Sequence, residues 1–201
     1  PENEIFIFSP DKVEDIYPEG FSTKITVSGM TEILCGLKRP AHFEGVTTVV
    51  YKLFNLVNAQ TAYFGEKDFQ QFLIIKKMVA DLSIPIIVKS CPIIRDNDGL
   101  ALSSRNQYLT PPEREKALVL PKTIQASKYI FSQNTYKTAL KKFYSLKKTS
   151  LNNSKWEYLE VYDAKTLTDI SENTKEFLIA GAYQATAARL IDNTVVQNNN
   201  V

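Results

Sequence analysis

The stretch that decides the fold runs from residue 62 to residue 88 and reads AYFGEKDFQQFLIIKKMVADLSIPIIV. It opens with a short apolar run that ends at Gly65, which predicts a buried strand. A helical repeat of apolar residues follows from about Asp68 to Leu82, and Pro85 to Val88 is a second apolar run. Strand, helix and strand with short links form a βαβ crossover. The stretch therefore predicts a parallel sheet covered by helices.

The residues before this stretch continue the same pattern. Ile5 to Phe8 is wholly apolar and is closed by a Ser-Pro pair, which predicts a strand buried on both faces. From Val46 to Val57 the apolar residues fall at helical spacing. We therefore predict an α/β domain over residues 1–93.

The residues after the stretch have a different character. Asp96 to Gly99 is a strong turn signal, and Thr110 to Glu113 has the residues of a capping box at a helix start. We predict a helix to about Phe131 that is kinked or interrupted at Pro121. The Lys-rich residues 136–155 suit an anion patch or, as we favour, a solvated helix face with a loop. Strand patterns follow at Trp156–Val161, Phe177–Ala182 and Arg189–Asp192. Residues 94–201 are thus predicted to form a small α+β domain.

Composition excludes several classes of protein. The 201 residues contain 24 Lys and Arg against 22 Asp and Glu, and this net charge of +2 does not indicate a nucleic-acid or membrane surface. No apolar run approaches the roughly 20 residues that span a bilayer. Cys35 and Cys91 lie far apart and in no metal-ligand spacing, which favours a reducing, cytoplasmic compartment. His42 is the one histidine, so a site that needs a histidine pair is excluded.

The first candidate site is the segment from Gly65 to Gln71, where a strand hands over to a helix. Ligands bind at the carboxyl end of strands in open parallel sheets, and free N–H groups at a helix start favour phosphate. Lys67 would add positive charge, and Asp68 could accept from a ribose hydroxyl or help hold Mg²⁺. The alternative is that Gly65 only turns the chain and that Glu66 and Asp68 complement the helix dipole.

Two further segments could bind anions. Leu102 to Arg105 places two hydroxyls and a guanidinium on a loop, which suits a polyanion whose charge grows during a reaction. A solvent-facing loop with a helix cap is the alternative. Arg39 and His42 bracket a proline turn before a helix and could bind a carboxylate or phosphate, although a lone histidine is more often structural.

Taken together, these motifs resemble one known family. Residues Arg39–Phe43, Lys52–Leu56, Gly65–Gln71 and Asp98–Asn106 occur in the order and spacing found in the pantothenate synthetases, or pantoate–β-alanine ligases. Leu190–Asn193 is similar to the closing strand of that family. The resemblance covers nearly the whole chain.

This resemblance implies a fold and a reaction. The fold would be part of a Rossmann-like, nucleotidyltransferase-type parallel sheet, followed by a small α+β domain whose lid loop covers the ATP phosphates. The reaction would be a two-step ligation in which ATP and pantoate form a pantoyl adenylate, with Mg²⁺, and the amine of β-alanine then releases AMP. Family members are usually cytoplasmic homodimers.

Matching position assigns roles to individual residues by the same resemblance. The catalytic residues would be Lys67, Ser104 and Arg105. ATP would be bound by Gly65, Glu66, Lys67, Asp68, the backbone of Ile94, and the mobile loop of Leu102, Ser103, Ser104 and Arg105. Substrate binding would involve Gln71 for pantoate, with Arg39 and His42 near the acid-binding part of the cleft. The metal ligands are not identified.

One part of the family pattern is missing. The family carries a His-x-Gly-His signature after its first strand, and His42 belongs to a different motif. The chain also starts at Pro1 rather than Met. We therefore expect a fragment that lacks the earlier part of the nucleotide-binding domain. The alternatives are a related adenylate-forming nucleotidyltransferase that acts on another small acid, and an inactive fragment or scaffold.

Overall fold

The computed structural model of the chain describes residues 4–186 and 188–198. They separate into two compact units. One unit contains the described residues up to Tyr63 together with Leu73–Lys89, and the other contains Phe64–Phe72 together with the described residues from Ser90 onward. The boundary near residue 93 that we predict between two domains stays a prediction.

The first half of the chain contains four helices and a pair of strands in its described residues. Its described elements follow one another in the order α1 (Val13–Ile16), α2 (Leu34–Lys38), α3 (His42–Val57), β1 (Thr61–Gly65), a 3-10 turn (Glu66–Asp68), α4 (Phe69–Asp81) and β2 (Ile87–Cys91).

Strands β1 and β2 pair in a parallel sheet and are connected through α4, which confirms the predicted βαβ crossover. Helix α4 buries Ile74, Ile75 and Met78 almost completely. These residues recur at the three- and four-residue spacing of one helix face, so the apolar repeat of the sequence becomes the buried side of the helix. Leu82, which we predicted on this stripe, lies just beyond the end of α4 and is 50% exposed.

The second half of the chain forms a helix-covered antiparallel sheet. A 3-10 turn (Ser104–Tyr108) leads into α5 (Pro111–Ala117), α6 (Val119–Gln133), α7 (Tyr136–Leu151), β3 (Trp156–Asp163), β4 (Glu176–Gln184) and β5 (Arg189–Gln197). The sheet has the order β3–β4–β5, and its register places Gly181 of β4 opposite Asp192 of β5. The predicted α+β arrangement, with strands at all three predicted places, is thus confirmed.

Helices α6 and α7 cover this sheet and enclose its core. Leu120, Ile124 and Phe143 are 0–1% exposed there. Gly181 brings α6 close to β4, because a Cβ at this position would lie 3.0 Å from the Trp156 ring and 3.2 Å from Leu120 Cδ1. None of the helices in the described part of the chain has the length and apolar content needed to cross a bilayer.

The helix start predicted at Thr110 is confirmed, because Thr110 and Glu113 form a reciprocal capping box. The position of the interruption is different from the predicted one. The helical segment breaks at Leu118, between α5 and α6, and Pro121 lies in the first turn of α6. Backbone N–H groups in a first turn have no partner within the helix, so a proline there removes no hydrogen bond.

Two strand predictions need correction. Ile5–Phe8 is not a strand: it has no regular structure, and Ile5 and Ile7 are 88% and 87% exposed. A strand requires a hydrogen-bonded neighbour, and no described residue forms a ladder with this run. Strand β2 begins at Ile87 rather than at Pro85. Pro85 has no N–H to donate to a ladder, so pairing starts after it.

Helix α7 carries a buried aromatic residue next to an exposed one, and substitution of each tests whether the helix stabilises the second unit through packing. Phe143 is fully buried and its ring centroid lies 5.6 Å from that of Phe131, whereas the adjacent Tyr144 is 54% exposed. We expect Phe143→Ala to lower the free energy of unfolding by about 3–5 kcal/mol, because it removes buried contacts and leaves a cavity. Tyr144→Ala should lower it by less than about 1 kcal/mol.

Chemical denaturation monitored by circular dichroism measures both changes. Equal effects of the two substitutions would contradict the packing described for α7.

Candidate active site

The segment predicted to bind ATP phosphates is a tight turn between a strand and a helix. Strand β1 ends at Gly65, the 3-10 turn follows, and α4 begins at Phe69. Space is open around Gly65, since a Cβ there would have no atom within 4 Å. The Lys67 ammonium lies 3.7 Å from the Asp68 carboxylate, and the two side chains are 20% and 49% exposed. The turn therefore presents one cation and one carboxylate next to a helix start.

The Glu66 side chain contacts a residue outside the turn. Its Oε1 accepts a hydrogen bond of 2.7 Å from the hydroxyl of Ser90, which belongs to β2. This contact ties the turn to the neighbouring strand. The Glu66 side chain thus has a structural contact with β2. The assignment of Glu66 to ATP binding stays a prediction.

Asn193 on β5 holds the backbone of the same turn. Its Nδ2 donates to the carbonyl oxygens of Glu66 and Lys67 at 2.9 and 2.8 Å. Asn193 is only 5% exposed. The sequence indicated it only as part of a closing strand. A carboxamide in the middle of a buried strand was the signal available, because buried amides need partners.

A buried ion pair attaches a second segment to β5. The two terminal nitrogens of Arg95 donate to the two carboxylate oxygens of Asp192, each at 2.8 Å, and Nη1 also donates to the Gly99 carbonyl at 3.0 Å. The Asp192 side chain is 1% exposed. The backbone N–H of Asn193 donates to the same carboxylate at 2.8 Å. Sequence reasoning did not identify this pair.

The segment that Arg95 anchors is a short hairpin. Arg95 and Ala101 form an antiparallel bridge, and the Leu102 N–H donates to the Ile94 carbonyl at 2.9 Å. Its turn closes at Gly99, whose φ of +91° strongly favours glycine, so the predicted turn is confirmed. The structure thus brings Ile94 and Leu102 together, with both side chains exposed.

The loop that follows carries the predicted anion-binding residues. The Ser103 hydroxyl accepts from the Arg105 N–H at 3.3 Å and caps the 3-10 turn. The guanidinium of Arg105 donates to the Arg189 carbonyl at 3.1 Å, so it lies beside the start of β5. Ser104 and Arg105 are exposed. The loop therefore contains a helix cap, and it also presents a hydroxyl and a cation to solvent.

Arg114 on α5 fastens the turn of the hairpin. It donates to the Asp98 carboxylate at 2.7 Å through Nε and to Asp96 at 2.6 Å through Nη2. This guanidinium lowers the pKa of Asp98, and the two carboxylates raise the pKa of Arg114. The pairing fixes the hairpin at the end opposite to Leu102.

Gln71, Arg39 and His42 are the remaining predicted residues. Gln71 is half-buried in the first turn of α4. Arg39 and His42 belong to the other compact unit, where Arg39 Nη1 lies 2.9 Å from His42 Nε2. Arg39 also lines an open cavity of about 410 Å³ in that unit. Their roles toward substrate stay predictions.

The cavity beside Arg39 also contains the side chain of Glu44. Lys24 lies 2.9 Å from the Glu44 carboxylate, and its hydrogen bond lowers the pKa of Glu44. No group of three or more His, Cys, Asp or Glu side chains in residues 4–186 and 188–198 is arranged to hold a metal ion.

Comparison with known proteins identifies the family. The family model described as pantoate-beta-alanine ligase matches residues 2–195. The chain belongs to this family. The pantothenate synthetase of Acetivibrio thermocellus is 44% identical over 192 residues, which cover 95% of this chain and 68% of that protein. That of Moorella thermoacetica is 43% identical over 194 residues, or 96% of this chain and 68% of the relative.

Solved structures of the family agree. The pantothenate synthetase from Thermus thermophilus matches with a TM-score of 0.82 at 41% identity, over 91% of this chain and 67% of that one. The pantoate-beta-alanine ligase from Francisella tularensis, complexed with beta-gamma ATP and beta-alanine, matches with a TM-score of 0.67 at 30% identity, over 90% and 61%. The predicted family and fold class are confirmed, and the chain is a member of a ligase family.

The contacts of Arg114 generate a prediction about pH. Because the folded pKa of Asp98 is lowered, its contribution to stability is present above the unfolded pKa of about 3.8 and is lost as the pH falls through the folded value. We expect Arg114→Gln to lower the free energy of unfolding by about 1 kcal/mol at pH 7, a modest amount because the pair is partly exposed.

The difference between the Arg114→Gln variant and the wild type should shrink below about pH 4. Urea titrations at pH 7 and pH 3 measure it. A difference that does not change with pH would contradict the ion-pair explanation.

Proposed function

We propose that this protein joins pantoate and β-alanine to form pantothenate at the expense of ATP. The carrying observation is the family match over residues 2–195, which contains every motif described above. The Francisella tularensis relative, whose structure is complexed with beta-gamma ATP and beta-alanine, supports the use of ATP and of β-alanine. The pantothenate synthetase names of relatives more than 40% identical support the same reaction.

The proposed reaction has two steps. In the first, a carboxylate oxygen of pantoate attacks the α-phosphorus of ATP, and the bond to the bridging oxygen breaks so that pyrophosphate leaves with its electron pair. In the second, the amine of β-alanine attacks the carbonyl carbon of the pantoyl adenylate. The C–N bond forms, the amine proton passes to solvent, and the bond between the carbonyl carbon and the adenylate oxygen breaks so that AMP leaves with its electron pair. Both steps transfer a group away from a phosphate, so charge neutralisation is the main task of the protein.

The ATP site that we propose is built from the turn and the hairpin loop. Lys67 would neutralise phosphate charge, and Ser104 and Arg105 would contact the departing pyrophosphate. The rest of the site would be the turn residues Gly65, Glu66 and Asp68, the backbone of Ile94, and Leu102 and Ser103. This assignment is supported by the attachment of both segments to β5, through Asn193 for the turn and through Arg189 for Arg105.

The acid-binding residues and the metal are proposed from the resemblance and from the local chemistry. Gln71 would hydrogen-bond pantoate, and Arg39 and His42 would lie near the substrate acids. Mg²⁺ commonly binds through one or two carboxylates together with substrate phosphates, and the exposed carboxylate of Asp68 fits such a site. When bound, Mg²⁺ would supply charge neutralisation at the phosphates.

The oligomeric state and the cellular compartment are also proposed from the family. We propose a homodimer in the cytoplasm from the resemblance to the family, and the two distant cysteines favour a reducing compartment. Light scattering after size exclusion would measure the assembly.

An assay of AMP formation tests the reaction. We expect AMP only when ATP, pantoate and β-alanine are all present, and pyrophosphate when β-alanine is omitted. Pyrophosphate release with another small acid and none with pantoate would indicate a different adenylate-forming enzyme. The absence of any heat of ATP binding at millimolar nucleotide would indicate a scaffold.

The role of Lys67 has a direct test with a matched control on the same chain segment. We expect Lys67→Ala to slow adenylation by a factor of about 100–1,000, because a cation placed at developing charge typically contributes about 3–4 kcal/mol to the barrier. Lys77, which is half exposed on α4 and pairs with Asp81, is the control.

Both variants should unfold within about 0.5 kcal/mol of the wild type. Turnover is measured as pyrophosphate release. Equal rates for Lys67→Ala and Lys77→Ala would show that Lys67 contributes no more to the reaction than a lysine outside the site.

A further inference from the structure

Asn193 makes a pair of contacts to the backbone around Lys67. It lies in register with Ala180 of β4 and is 5% exposed. Its Nδ2 reaches two successive carbonyl oxygens, those of Glu66 and Lys67, at 2.9 and 2.8 Å. Glu66 and Lys67 lie 127 and 126 positions before Asn193 in the chain.

These contacts hold the two peptide groups on either side of Lys67. The Glu66 carbonyl belongs to the peptide before the Lys67 Cα, and the Lys67 carbonyl belongs to the peptide after it. A carboxamide N–H₂ has two donors in one plane, so it can satisfy both oxygens at once. With both flanking peptides held, the direction of the Cα–Cβ bond of Lys67 is defined by Asn193.

We infer that Asn193 is a positioning residue for ATP, which aims the Lys67 ammonium at the phosphates by holding the backbone on both sides of it. This inference rests on the function proposed above and deepens it. Asn193 itself would not touch ATP. Its effect on ATP binding would act through Lys67.

Hydrogen bonds and strand pairing hold Asn193 in place. Its own N–H donates to Asp192, whose carboxylate is held by the guanidinium of Arg95. Its strand pairs with β4 over its whole length. A positioning group must itself be fixed by packing and hydrogen bonds, and Asn193 meets that requirement.

The chain offers a matched control for this residue. Asn198 is 7% exposed, follows β5, and also donates from Nδ2 to two carbonyl oxygens, those of Glu172 and Thr174, at 3.2 and 2.8 Å. The segment that it holds contains none of the proposed site residues. The two asparagines therefore have the same kind of structural contact, and only Asn193 is next to Lys67.

The experiment is a double-mutant cycle on ATP affinity, measured by calorimetry with the 201-residue chain. We expect Asn193→Ala to weaken ATP binding about tenfold, and Asn198→Ala to leave it within about twofold. The double variant with Lys67→Ala and Asn193→Ala should bind no more weakly than Lys67→Ala alone. Residues that act through one contact give such non-additive losses, and independent sites give additive ones.

Amide hydrogen exchange checks that the change is local. Exchange at residues 66–70 should become faster in Asn193→Ala and stay unchanged in Asn198→Ala. If Asn193→Ala does not fold, Asn193→Ser, which keeps one hydroxyl donor, takes its place in the same cycle.

The outcomes separate this inference from the proposed function. ATP binding by the wild type with additive losses in the cycle, or with no loss in the Asn193 variant, would overturn the inference alone. A wild-type chain that binds no ATP would overturn the proposed function and the inference with it. A non-additive loss together with local exchange would support the positioning role.

Discussion

Buried polar groups on strand β5 hold the turn and the hairpin, the two segments that carry or adjoin the candidate ATP-binding residues. Asn193 binds the backbone around Lys67, and Asp192 binds the guanidinium of Arg95 at the base of the hairpin. A buried carboxylate or amide is costly unless its hydrogen-bonding capacity is satisfied. The buried groups of β5 therefore need the turn and the hairpin as hydrogen-bonding partners. The turn and the hairpin in turn need the register of β5, because the register sets the positions of these groups.

Packing in the core of the second unit stabilises the register of β5. Helices α6 and α7 cover the sheet, and Gly181 allows α6 to approach β4 closely. Gly181 lies opposite Asp192, so the close approach of α6 and the buried carboxylate are on neighbouring strands. A shift of one residue in β5 would send its side chains to the other face of the sheet. Apolar packing and polar contacts thus depend on the same strand pairing.

The proposed chemistry suits this construction. Adenylyl transfer requires positive charge at defined positions more than it requires a nucleophile or base on the protein. The structure offers two cations on short loops, Lys67 in the turn and Arg105 after the hairpin, and both loops are attached to β5. Membership of the pantoate-beta-alanine ligase family gives these cations their proposed ligand.

The sequence by itself determined the family, the βαβ crossover, the turn closed by Gly99 and the helix start at Thr110. Each of these depends on residues a few positions apart, where backbone preference and capping act. Only the tertiary structure decided that the apolar run Ile5–Phe8 is exposed and that Asp192 pairs with Arg95 across 97 residues. Burial and long-range partners depend on which surfaces pack together in the folded chain. Residues a few positions apart in the sequence do not determine that packing.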